Sequence, residues 1–160
     1  MASAEFLKGR FGIEVEMTGI TRTKAARTVA NHLRGTIERC YGSYDTHEVT
    51  ATDGRVWKIV SDSSIVTQKK VNGVKVPADK TYSVELVSPI LTYEEDIETL
   101  QEIIRKLKKA GAFSESQNRT GFHIHLDGAD HTPTSLRNFV NIIYSRNDLL
   151  YDSLQVEETR

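Results

Sequence analysis

Residues 11–18 read Phe11-Gly12-Ile13-Glu14-Val15-Glu16-Met17-Thr18. The alternation is strict: Phe11, Ile13, Val15 and Met17 are apolar, and Gly12, Glu14 and Glu16 lie between them. A period of two is the signature of a half-buried strand, in which residues two apart share a face. Glu14 and Glu16 must therefore point the same way, opposite a continuous apolar face.

Two later segments repeat its pattern. In 82–88, Tyr82, Val84 and Leu86 share one face, and Glu85 lies opposite with Ser83 and Val87. In 121–127, Phe122, Ile124 and Leu126 share one face, which leaves His123, His125 and Asp127 on the other. The apolar faces are the natural partners for helices. If the three strands join one sheet, its second face gathers Glu14, Glu16, Glu85, His123 and His125. Clustered carboxylates repel and raise one another's pKa values, and a hard divalent cation resolves the conflict. Oxygen-rich ligands with one or two imidazoles favour Mg²⁺ or Mn²⁺. A carboxylate-rich set and a single cysteine, Cys40, argue against structural zinc.

The remaining elements give an α+β reading. Thr21 caps a helix that carries Ala26, Val29, Ala30 and Leu33, and Gly35 is expected to stop it. Strand-like runs follow at 36–41, 47–51 and 55–61. Asp53-Gly54 marks one hairpin turn and Asn72-Gly73 another, the latter in a Lys-rich arm. Thr92 and Glu95 form a capping-box pattern before the stripe Ile97, Leu100, Ile104 and Leu107. Thr132-Pro133 opens a further helix with Leu136, Phe139, Val140 and Ile143 on one face, and a last short helix holds Leu149, Leu150 and Leu154. Strands in hairpins followed by separate helices predict a mainly antiparallel sheet with helices on one face, in a single domain over 1–160.

Composition bounds the function. The chain has 160 residues, 38% hydrophobic and 27% charged, with a formal net charge of −1. That balance gives no global attraction to nucleic acid or to anionic membranes. The basic runs Lys69-Lys70 and Arg105-Lys106-Lys108-Lys109 read as solvated faces. No apolar leader or run of transmembrane length is evident, and a lone cysteine fits a cytoplasmic setting. His32, His47 and His131 have no matching partners and read as surface residues.

Two loop-flanking segments add candidates. Trp57-Lys58-Ile59-Val60-Ser61-Asp62-Ser63-Ser64 leaves a strand for a polar turn, with Lys58 and Asp62 on one face. Lys58 suits a phosphate, and Asp62 suits holding or orienting an amine. Arg119, just before the histidine strand, is a second candidate for phosphate, and Gly121 after it suits close backbone approach.

Phe11-Gly-Ile-Glu14-Val-Glu16-Met17, Trp57 to Ser64, Glu85-Leu-Val-Ser88-Pro89 and Gly121-Phe-His123-Ile-His125, in this order and spacing, resemble the amidoligase family of bacteria and their phages. That family is related to glutamine synthetase and glutamate–cysteine ligase. The resemblance implies a curved antiparallel sheet of the glutamine-synthetase type, whose concave face holds ATP and two or more divalent ions. It implies metal carboxylates at Glu14, Glu16 and Glu85 and a metal-ligating imidazole at His123. His125 would contact nucleotide phosphate or substrate carboxylate, and Asp62 falls in a family motif. The implied reaction joins a small-molecule or peptide carboxylate to an amine through an acyl phosphate, at the expense of ATP.

Family members are longer, and the ligases place further phosphate-binding residues in a C-terminal half. With residues 152–160 ending in helical pattern, the chain reads as an N-terminal portion, completed by a missing half or by homo-oligomerisation. The alternatives are a non-catalytic binding module or inactive half-domain, and a metal-dependent hydrolase. The hydrolase reading rests on His123-x-His125-x-Asp127, but Gly128 stands where that motif needs a histidine, and Glu14 and Glu16 stay unexplained.

Overall fold

The structure is a computed structural model and describes residues 7–42 and 44–154. It divides into two compact units, Met1–Leu126 and Asp127–Arg160. The helical pattern read at 155–160 lies outside the described residues.

The first unit holds nine strands: β1 (Arg10–Met17), β2 (Thr36–Cys40), β3 (Thr46–Thr50), β4 (Val56–Val60), β5 (Gln68–Val71), β6 (Val74–Pro77), β7 (Val84–Val87), β8 (Leu91–Thr92) and β9 (Phe122–Leu126). Among the described residues its long helices are α1 (Arg22–Leu33) and α2 (Tyr93–Lys109). Seven strands form one sheet in which every pairing is antiparallel, in the order β2-β3-β4-β7-β1. β1 is central. Val15 pairs with Leu86 of β7 and with Phe122 of β9, and Phe11 pairs with Leu91 of β8 and with Leu126 of β9. A residue has only two edges, so β7 and β8 line one edge of β1 and β9 the other. β5 and β6 form a separate hairpin whose turn residues Asn72 and Gly73 both have positive φ, as a two-residue turn between twisted strands requires.

The apolar face of the sheet packs against both helices. Ile13, Met17, Val49, Trp57, Ile59, Val84 and Leu86 join Ala25, Ala26 and Val29 of α1 and Leu100, Ile103 and Leu107 of α2 in one buried core. The small residues of α1 let its backbone lie close over β2, β3 and β4. α1 starts as its sequence suggests, with the Thr21 hydroxyl accepting the Lys24 N–H.

Four expectations change. Arg34, not Gly35, takes the left-handed conformation that ends α1 (φ 51°). The Thr92–Glu95 capping box does not form; the Asp96 carboxylate accepts the Thr92 N–H at 2.8 Å and pairs with Arg55 at 2.7 Å. A carboxylate one residue further along satisfies the same orphan amide and also reaches across to the guanidinium. His47 is a core residue rather than a surface one, with Nε2 3.2 Å from the Thr23 hydroxyl of α1; burial lowers its pKa. Finally, Phe122, Ile124 and Leu126 are exposed, so within the first unit α1 and α2 do not cover the apolar face of β9 as they do that of β1.

The second unit contains α3 (Pro133–Ser145) and α4 (Asn147–Leu154). Thr132 caps α3 through a reciprocal box with Ser135. Leu136, Phe139, Val140 and Ile143 are exposed. No helix among the described residues is long and apolar enough to cross a membrane.

Candidate metal centre

Register decides which side chains meet. Directly paired residues of an antiparallel sheet point to the same face. On the face opposite the core, one row runs Glu48, Lys58, Val87, Glu14, His123. The next runs Val60, Glu85, Glu16, and continues to Gly121 through the bond from the Glu16 N–H to the Gly121 carbonyl. His125 pairs with Gly12 in the row beyond Glu14. Three strands from distant parts of the chain thus bring carboxylates and imidazoles to one patch.

Glu16 is at its centre and is buried, at 4% exposure. Its Oε2 accepts the Gly121 N–H at 2.6 Å, and its Oε1 lies 3.7 Å from His123 Nε2. Glu14 Oε1 lies 3.3 Å from His125 Nε2. Asp62 comes from the loop after β4. Glu16, Asp62 and Glu85 each offer a carboxylate oxygen, and the three atoms lie within 4.8 Å of one another. Opposite ligands of an octahedral Mg²⁺ stand about 4.2 Å apart, twice the ~2.1 Å bond, so the set fits a small hard cation after slight side-chain adjustment.

The electrostatics agree with the geometry. The Glu85 carboxyl is pushed up to about 7, first by burial and then by the charges of Glu14, Asp62 and Glu16, with a hydrogen bond to Glu14 acting in the same direction. Without a cation, Glu85 gives up its proton less readily than an ordinary glutamate. A divalent ion would replace that proton and let every carboxylate ionise.

The outer candidates sit differently. Lys58 is half exposed, at the far end of the Glu14 row, and pairs with Glu48 at 3.2 Å. Arg119 is exposed on the loop leading into β9, with a left-handed backbone (φ 53°) after a short 3-10 turn. Neither is among the three grouped carboxylates.

Sequence reasoning set Asp62 apart from the glutamates, as a residue for an amine; the structure places it among them. Gly121, singled out for close backbone approach, does bring its amide to Glu16; the Ser83 hydroxyl was overlooked. The Ser83 oxygen accepts the Asp62 N–H at 2.9 Å and donates to the Asp62 carbonyl at 2.6 Å. Parity offered a weak signal for this, since Ser83 shares a face with Glu85.

The family model described as "Putative amidoligase enzyme" matches residues 7–160. No curated protein and no solved structure matches the chain significantly.

Proposed function

The chain belongs to the amidoligase family, and from that premise we propose that it is an ATP- and Mg²⁺-dependent ligase that joins a carboxylate to an amine through an acyl phosphate. The observation that carries this reading is the convergence of Glu16, Asp62 and Glu85 within 4.8 Å, beside Glu14, His123 and His125, on the solvent side of an antiparallel sheet. A glutamine-synthetase-like sheet belongs to the same proposal. Glu14, Glu16, Glu85 and His123, with Asp62 added on geometric grounds, would hold Mg²⁺ or Mn²⁺, which would supply positive charge against the phosphates of ATP.

The reaction needs two anions to approach each other. The substrate carboxylate oxygen attacks the γ-phosphorus of ATP, the bond to the bridging oxygen breaks, and ADP leaves. The nitrogen of a neutral amine then attacks the acyl carbon, and inorganic phosphate departs with the bonding electron pair. A positioned base takes the nitrogen's proton in this scheme. His125, half exposed beside Glu14, contacts phosphate or substrate carboxylate, with Lys58 and Arg119 as further phosphate contacts. The substrates are a small-molecule or peptide carboxylate and an amine, handled in the cytoplasm of a bacterial or phage-infected cell. A homo-oligomer or a further segment would supply phosphate contacts beyond these.

Calorimetric titration with Mg²⁺, ATP and both together tests the reading, with a Glu14→Gln, Glu16→Gln variant as control. Nucleotide binding that requires metal and disappears in the variant supports it. Metal binding without ATP binding by the folded chain would favour a non-catalytic module, and binding of neither would overturn the assignment.

A further inference from the structure

We propose that Ser83 is the positioning residue of the carboxylate cluster, because its hydroxyl fixes both backbone groups of Asp62 to the strand that carries Glu85. The inference rests on the metal reading of that cluster and adds to it a residue with no ligand atom of its own.

β4 and β7 pair Lys58 with Val87, Ile59 with Leu86 and Val60 with Glu85. Continued by two residues, that register sets Asp62 opposite Ser83. The ladder stops before this point. In its place one side-chain oxygen takes both roles, accepting the Asp62 N–H at 2.9 Å and donating to the Asp62 carbonyl at 2.6 Å. A serine hydroxyl can do this because it carries one donor and two acceptor sites. The loop residue that enters the cluster is thus tied, at its own backbone, to a residue two positions from Glu85.

Ser83 is itself held firmly. It is buried, at 3% exposure, and its carbonyl accepts a bond from Arg22 Nη1 at 2.8 Å. The Arg22 guanidinium is buried too, and also donates to the Lys80 carbonyl and to Asp45. On the other side, Asp62 Oδ1 accepts the Ser64 N–H at 2.7 Å, which fixes the carboxylate's rotation. The loop is closed further along by Asn118, fully buried, whose carbonyl accepts the Val66 N–H and whose Nδ2 donates to the Val66 carbonyl. Outer partners of this kind orient metal carboxylates, and their loss weakens metal binding about 10- to 100-fold. Without the hydroxyl, the two bonds from Ser83 to the Asp62 backbone are lost, and with them the tie that sets the carboxylate beside Glu16 and Glu85.

The test is calorimetric titration with Mn²⁺ of the full chain, four single variants and the Ser83→Ala, Asp62→Asn double variant. Ser83→Ala is expected to raise the Kd about 10- to 100-fold. Ser83→Thr keeps the hydroxyl on extended backbone that suits a branched residue (φ −79°, ψ 114°), and is expected to restore the Kd to within about threefold of wild type. Val84→Ala empties a neighbouring core position on the other face; it should lower Tm yet leave the Kd within about twofold. Asp62→Asn should weaken binding in the wild type but add little in Ser83→Ala, since the two act as a unit. A Ser83→Ala variant with wild-type affinity, a Val84→Ala variant just as weakened, or failure of threonine to restore binding would overturn the role of Ser83 while leaving the ligase reading intact. A wild-type chain that binds no Mn²⁺ would overturn both.

Discussion

Glu16 of β1 and Glu85 of β7 stand directly opposite each other in the register of an antiparallel pair. Like charges across a ladder repel, and burial strengthens the repulsion. Asp62 adds a third carboxylate to the same spot. The arrangement is unfavourable for the fold alone and favourable for a cation.

One consequence concerns Glu85 in the metal-free protein. Its carboxyl, held up at about 7, keeps a proton in the folded state that the unfolded chain gives up. Stability is therefore full below the ordinary glutamate range and declines as pH rises toward and through 7. Glu85→Gln should remove this decline, making the metal-free protein more stable at pH 8 by on the order of 1 to 3 kcal/mol. Thermal melts from pH 5 to 8 in chelator would show it; parallel curves for the two proteins would contradict it.

Divalent metal should have the opposite effect on the wild type. Mg²⁺ or Mn²⁺ at about 100 times its Kd should stabilise the chain by roughly 2.7 kcal/mol. For a chain of this length that raises Tm by about 5–10 °C. Glu16→Gln should abolish the gain, and chelator should reverse it in the wild type.

A second pH effect arises far from the cluster, at Asp45. Its carboxylate receives Arg22 Nη2 at 2.6 Å and Arg39 Nη2 at 2.7 Å, and these bonds hold its pKa below the ordinary carboxylate range. The stabilisation is present above that range and is lost as pH falls through the depressed value. Arg22→Met should flatten the acid limb of a stability–pH curve. It should also cost about 3 kcal/mol at neutral pH in urea unfolding, because the Lys80 and Ser83 carbonyls and Asp45 lose their shared donor.

Two glycines separate crowding from conformation. A Cβ at Gly35 would stand 2.3 Å from the Thr50 carbonyl oxygen, so Gly35→Ala must push α1 away from β3. The expected loss is about 2–3 kcal/mol. Gly73 lies in open space but at φ +80°; Gly73→Ala should cost only about 1 kcal/mol, through backbone strain. Urea midpoints for the two variants check the order.

The sequence by itself determined the elements and the faces. Strict alternation in β1, β7 and β9 fixed which side chains could share a surface, because a strand's period of two follows from covalent geometry. It also placed both hairpin turns and the Thr21 and Thr132 caps, all of them local effects. Pattern and motif spacing together carried the resemblance to the amidoligases. Only the tertiary structure decided what depends on long-range register: that Glu16 meets Glu85 in the same row, that Asp62 joins them, that Ser83 and Gly121 hold them, and that His47 is in the core. Parity assigns a residue to a face but not to a row on it. The row is set by how strands from opposite ends of the chain pair, and by hydrogen bonds between residues as far apart as Glu16 and Gly121.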